Sequence, residues 1–169
     1  MTIIAIEAGL PQTIGEAFAH IGTLKAPTIG DLKVMVLVEA ASEALYRRTA
    51  EGTDNAAVID LLHHNGREEM KHAHRVSQAI GLLGGGEFLP PAAADNPYLA
   101  GGAFPFAPVT PEALRKLAQG EFGGEALYEG WAASIDNAEA ATLLRQNGAE
   151  EADHGNRLLE AAALLEAAA

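Results

Sequence analysis

Residues 39–75 read EAASEALYRRTAEGTDNAAVIDLLHHNGREEMKHAHR, and residues 121–157 read EFGGEALYEGWAASIDNAEAATLLRQNGAEEADHGNR. A shift of 82 positions lays the first stretch over the second without a gap, with 17 identities in 37 positions. Unrelated helical segments rich in Ala and Leu would agree at roughly a tenth of positions. Helical composition does not readily supply the agreements found here. Glu39 falls on Glu121, Glu43 on Glu125, Tyr46 on Tyr128, and Asn65-Gly66 on Asn147-Gly148. Glu69-x-x-His72 falls on Glu151-x-x-His154. The chain is therefore predicted to contain one helix hairpin twice, each copy carrying Glu…Glu-x-x-His.

Working outward, Thr13 followed by Glu16 reads as a capping box that starts a short helix over 14–22. A Pro/Gly linker at 25–30 leads to a helix over 31–51, and Asp54 is the expected cap of a helix over 55–83. Gly84-Gly85-Gly86 stops that helix, and residues 84–109 hold five of the eight prolines and five glycines. Helices about 25 residues long are roughly 40 Å from end to end. Twenty-six extended residues, at up to ~3.3 Å each, can cross that length. Thr110-Pro111 reads as the start of a third long helix, and Asp136 as the cap of a fourth that runs to about 167. The expected fold is all-α: a ferritin-like four-helix bundle of two duplicated antiparallel hairpins joined by a long crossover. An N-terminal arm and short helix are expected over 1–30, and the bundle over 31–169.

Composition agrees with helices. Hydrophobic residues make up 49% of the 169 and aromatics only 5%, whereas a β-sandwich draws on β-branched and aromatic residues. A net charge of −12 opposes binding to nucleic-acid phosphates, and it would draw in cations. The absence of cysteine excludes disulfides and thiolate metal sites. Residues 1–24 lack Lys and Arg, so the basic start of a secretory signal is missing and a cytoplasmic location is expected. The apolar run at 34–38 is too short to span a bilayer and meets Glu39 at once, so no membrane association is expected.

Residues three and four apart share a helix face. Glu39, Glu43 and Tyr46 thus form one stripe, and Asn65, Glu69 and His72 another. In an antiparallel hairpin, residues equidistant from the turn lie at the same level. Glu39 and Glu69 are equidistant from residue 54, and Glu121 and Glu151 from residue 136. The predicted metal ligands are therefore Glu39, Glu69, His72, Glu121, Glu151 and His154. Glu43, Glu125, Tyr46, Tyr128, Asn65 and Asn147 are candidates for additional or supporting roles. Four buried carboxylates without compensation would cost several kcal/mol each, and two divalent cations at +4 balance them. Oxygen and imidazole ligands without sulfur suit iron or manganese. His63, His64 and His74 have no histidine partners in the second copy and are expected outside the site, as is His20.

The order Glu39…Glu69-x-x-His72…Glu121…Glu151-x-x-His154 resembles the metal pattern of the ferritin-like superfamily, in its rubrerythrin/erythrin branch. The resemblance spans roughly residues 31–167. It implies a di-iron carboxylate centre, with manganese as an alternative metal, that oxidises Fe(II) with O2 or H2O2 as ferroxidases and rubrerythrin-like peroxidases do. Without a cysteine-bearing rubredoxin module, peroxidase turnover would draw on an external electron donor. The family's habit of oligomerising leads to an expected homodimer or larger assembly. Two other readings stay open: a di-manganese catalase, and a metal-binding or iron-storage protein without turnover.

Overall fold

Local capping decides where the helices begin. In the computed structural model, which describes residues 4–102 and 104–167, there are five α-helices and, among the described residues, no strand. The start of the N-terminal arm and the last two residues of the chain lie outside the described residues. Thr13 and Glu16 close a capping box on α1 (Ile14–Ile21). Thr28 and Asp31 do the same for α2 (Ile29–Ala50). Asp31 is thus the third residue of α2 rather than its start, because its carboxylate is needed one turn in, where it accepts from the Thr28 N–H at 2.8 Å.

The caps of the next helices also differ by one residue from the sequence expectation. Asn55, not Asp54, caps α3 (Ala56–Leu82), its side-chain oxygen accepting from the N–H groups of Ala57 and Val58. Asn137, not Asp136, accepts from Glu139 and Ala140 at the start of α5 (Ala138–Ala167). Thr110 caps α4 (Pro111–Ala133), with proline in the first turn as predicted.

The helices pack as α2 with α3 and α4 with α5, and the two pairs meet through α3 and α5. Helix α1 lies against α2. The crossover runs the length of α2. It leaves α3 beside Ile29, where a Cβ on Gly85 would come 2.7 Å from the Ile29 side chain. It ends where the Val109 N–H donates to Gly52 O at 3.0 Å, just past the other end of α2. Two short 3-10 turns, Ala93–Asp95 and Pro97–Leu99, lie on the way. Asn96 between them donates to Leu37 O at 2.8 Å and fastens the crossover to α2.

The apolar core falls into two clusters. One holds Leu32, Val36, Ile80, Trp131 and Leu144, and the other Leu62, Leu114 and Leu158. The buried Glu and His residues lie between them along the helices. At that level the helices of each pair come close, and the repeated glycine explains how. A Cβ on Gly66 would lie 3.1 Å from Tyr46 Cβ; one on Gly148 would lie 3.1 Å from Tyr128 Cβ and 3.2 Å from Glu125 O. Gly148→Ala gains up to about 1 kcal/mol of helix propensity. Overpacking typically costs 1–3 kcal/mol, and here the obstructing atoms are anchored to the backbone. A net loss of about 1 kcal/mol in urea unfolding is expected; a gain would mean that α4 yields freely.

Candidate metal centre

Glu69 and His72 lie one turn apart on α3, and Glu151 and His154 lie one turn apart on α5. Because these two helices form the contact between the pairs, the four side chains converge in the interior. None is more than 4% exposed, and one ligand atom from each lies within 4.8 Å of the others. Each imidazole meets the carboxylates of both helices. His72 Nδ1 is 3.6 Å from Glu69 Oε2 and 3.2 Å from Glu151 Oε1. His154 Nδ1 is 3.2 Å from Glu69 Oε1 and 3.4 Å from Glu151 Oε2. Ligands bound at about 2.1 Å to one ion are separated by roughly 3 Å along an edge of its coordination shell. The two rings stack, with centroids 5.0 Å apart.

Glu39 and Glu121 flank this group from α2 and α4. The Tyr128 hydroxyl donates to Glu39 and the Tyr46 hydroxyl to Glu121, so each tyrosine serves the carboxylate of the other copy. Glu121 Oε2 is 3.9 Å from His154 Nδ1. Glu43 and Glu125 are directed elsewhere. Glu43 is half-buried and lies 3.7 Å from Arg47, and Glu125 is exposed. His63, His64 and His74 are exposed. His20 pairs with Asp31 at 2.7 Å and joins α1 to α2.

Behind the histidines stands a layer in which sequence reasoning named Asn65 and Asn147 but missed Glu68 and Glu150. Glu150 Oε2 is 3.1 Å from His72 Nε2, and Arg75 holds that carboxylate through two hydrogen bonds of 2.8 and 2.7 Å. In the other direction, Arg157 donates to Glu68 at 2.8 Å, and Glu68 Oε2 lies 3.4 Å from His154 Nε2. Asn147 and Asn65 complete the arrangement. Each donates to the backbone carbonyl of the opposite histidine, at 3.2 Å to His72 O and 3.3 Å to His154 O. Each also accepts from the arginine of the other copy. The carboxylate hydrogen-bonded to His72 Nε2 directs Nδ1 inward, as outer partners of metal-bound histidine commonly do. The signal was present in the sequence, since Glu68, Arg75, Glu150 and Arg157 are themselves identities of the repeat.

Protons balance the charge of this cluster. Burial, with the charges of Glu69 and Glu151, pushes the Glu39 and Glu121 carboxyls well above the usual carboxylate range. Burial also opposes ionisation of Glu69 and Glu151, but the close approach of the His154 and His72 rings holds both low. Burial disfavours the imidazoliums in turn; the adjacent carboxylates of Glu151 and Glu69 outweigh it and raise His72 to about 11 and His154 to about 9. Two carboxylic acids, two carboxylates and two imidazoliums sum to zero.

That balance leaves atoms unserved. His72 Nδ1, His154 Nδ1 and Nε2, and Glu151 Oε2 are buried without an aligned hydrogen-bond partner. Buried polar atoms are rarely left so. Nitrogens that approach carboxylate oxygens to 3.2–3.6 Å without directing a hydrogen at them are disposed like ligands around a shared cation. The donor set, imidazole and carboxylate without sulfur, fits a divalent metal.

No helix among the described residues is long and apolar enough to cross a membrane. In comparisons with known proteins, no family model, no curated protein and no solved structure gives a significant match to the chain.

Proposed function

We propose that this protein is a di-iron carboxylate oxidoreductase built on a ferritin-like four-helix bundle, oxidising Fe(II) with O2 or H2O2. The observation that carries this reading is the buried group Glu69, His72, Glu151 and His154, whose inward nitrogens lack hydrogen-bond partners. Glu39, Glu69, Glu121 and Glu151 offer four negative charges for two divalent ions, and His72 and His154 one neutral nitrogen each. When bound, two iron ions would supply the two electrons that convert H2O2 and two protons into two waters.

The chain's own residues do the rest. Glu150, held by Arg75, is hydrogen-bonded to His72 Nε2 and turns its Nδ1 to the centre, while Glu68, held by Arg157, lies 3.4 Å from His154 Nε2. Tyr46 and Tyr128 hold Glu121 and Glu39 in place. Their phenols keep their protons, because burial and the neighbouring carboxylates raise both well above the usual tyrosine range. Burial of the histidines and of Glu69 excludes bulk water from the side of the site that faces α3 and α5. Return of the oxidised centre to Fe(II) calls for an external electron donor, since the chain has no cysteine to hold a second iron centre.

Anaerobic titration with Fe(II), followed by mixing with O2 or H2O2, tests the reading. Two ions per chain and rapid oxidation are expected. Two bound ions with no faster oxidation than free Fe(II) would favour the metal-binding reading without turnover.

A further inference from the structure

The two pairs of helices pack closely on one side, and on the other meet through the bonds of Tyr128 to Glu39 and of Tyr46 to Glu121. Helices α3 and α5 pack together, while α2 and α4 do not pack closely against each other. Between them lies a cleft of about 540 Å³, bordered also by Phe18 and Ile21 of α1. Its walls include Met35, Val38 and Leu45 of α2 and Leu117 and Leu127 of α4. Its floor is formed by Glu39, Glu69, Glu121 and Glu151. The cleft is therefore the open approach to the carboxylates, and its size falls within the range of small-molecule sites. O2 and H2O2 are far smaller than this space.

The repeat shows that one wall has been cut back. Where α2 carries Val38 and Ala41, the corresponding positions of α4 are Gly120 and Gly123. Glycine is the poorest helix former after proline, so glycines inside α4 call for a reason. Close packing within the chain is not that reason, because a Cβ at Gly120 or Gly123 would have no atom within 4 Å. Gly124 differs: a Cβ there would come 3.3 Å from the Glu151 side chain, so this glycine keeps the floor clear. Glu151 Oε2, on that floor, is buried and has no hydrogen-bond partner.

We propose that the cleft binds an uncharged, largely apolar organic molecule directly over the carboxylates. The description of its floor as a di-iron centre rests on the reading above, while the binding itself does not. The chemistry of the walls selects the class. No Lys, Arg or His lines the cleft to receive an anion, and the net charge of −12 repels one. The tyrosine hydroxyls at the floor are already committed to Glu39 and Glu121, so above the carboxylates Ser42 is the one hydroxyl-bearing side chain among the described lining residues left for a polar ligand. Apolar side chains on α1, α2 and α4 reward apolar area instead.

The probes are straight-chain primary alcohols of increasing length, titrated by calorimetry into iron-loaded protein. Each added CH2 is expected to tighten binding about fourfold until the chain fills the cleft. Gly123→Leu projects a side chain into the cleft at a position with room for it, and should weaken the longest alcohol at least tenfold while two irons per chain remain bound. His72→Gln, at a proposed ligand that does not line the cleft, should do the opposite, losing iron while keeping the dependence on alcohol length. A parent protein that binds no iron yet keeps the dependence on alcohol length would thus overturn the metal reading and leave the cleft standing. Absence of a length dependence in the parent protein would overturn the inference without need of any variant. So would sedimentation showing a dimer that Gly123→Leu dissociates, since a second copy would then be the occupant.

Discussion

Glu69→Gln is expected to reduce iron bound after anaerobic loading to below one ion per chain and to slow Fe(II) oxidation more than 100-fold. The amide keeps the shape of the side chain and removes one negative charge from the centre of the cluster. Glu69 approaches both imidazoles, at 3.6 Å for His72 and 3.2 Å for His154, and is 2% exposed, so water cannot replace it. Changing a residue that only orients a ligand commonly costs 10–100-fold in metal affinity or activity; loss of the ligand itself should exceed that. Glu151→Gln should behave alike, because the repeat gives it the same neighbours. Glu39 and Glu43 provide the contrast. Glu39→Gln should lose metal, whereas Glu43→Gln should stay within about twofold of the parent, since Glu43 sits beside Arg47 away from the cluster. Iron per chain after desalting and the initial oxidation rate are the measurements. Two firmly bound irons in Glu69→Gln would refute the di-metal reading.

Why those residues were legible in sequence follows from helix geometry. A repeat with a constant 82-residue offset identified Glu69-x-x-His72 and Glu151-x-x-His154 as one motif used twice. Equal distance from the turn distinguished Glu39 from Glu43 without coordinates. The caps were misplaced by one residue because Asp-Asn offers two good N-caps side by side, and only the backbone path decides which oxygen reaches the free N–H groups. Glu68 and Glu150 were passed over for a different reason. Each precedes a candidate ligand by one position, about 100° around the helix, and which neighbour it meets depends on how α3 packs on α5. That packing is tertiary, as is the pairing of Tyr46 with Glu121 across the copies. The cleft was hidden most completely. In sequence, Gly120 and Gly123 are merely unfavourable helix residues; that α2 stands back from them follows only once the two pairs are docked.

Chelation of the metal should lower the thermal unfolding midpoint by about 16–32 °C relative to protein saturated with two ions. At free metal a thousandfold above Kd, each site stabilises the native state by about 4 kcal/mol, and a chain of this size shifts by roughly 2–4 °C per kcal/mol. The shift is bounded because the cluster without metal is not left bare: protons on Glu39, Glu121, His72 and His154 cancel the charges of Glu69 and Glu151. The metal-free protein should therefore still unfold cooperatively. The same argument gives a second readout. Two divalent ions need all four carboxylates ionised and both Nδ1 atoms free, so loading must expel the protons that held the balance, up to four per chain. Titration of Fe(II) or Mn(II) into anaerobic, weakly buffered protein near neutral pH should acidify the solution in step with the rise in midpoint. A rise without proton release would place the ions on the acidic surface, where exposed carboxylates are already ionised. Release without a rise would mean that the protons stabilise the cluster as well as the metals do.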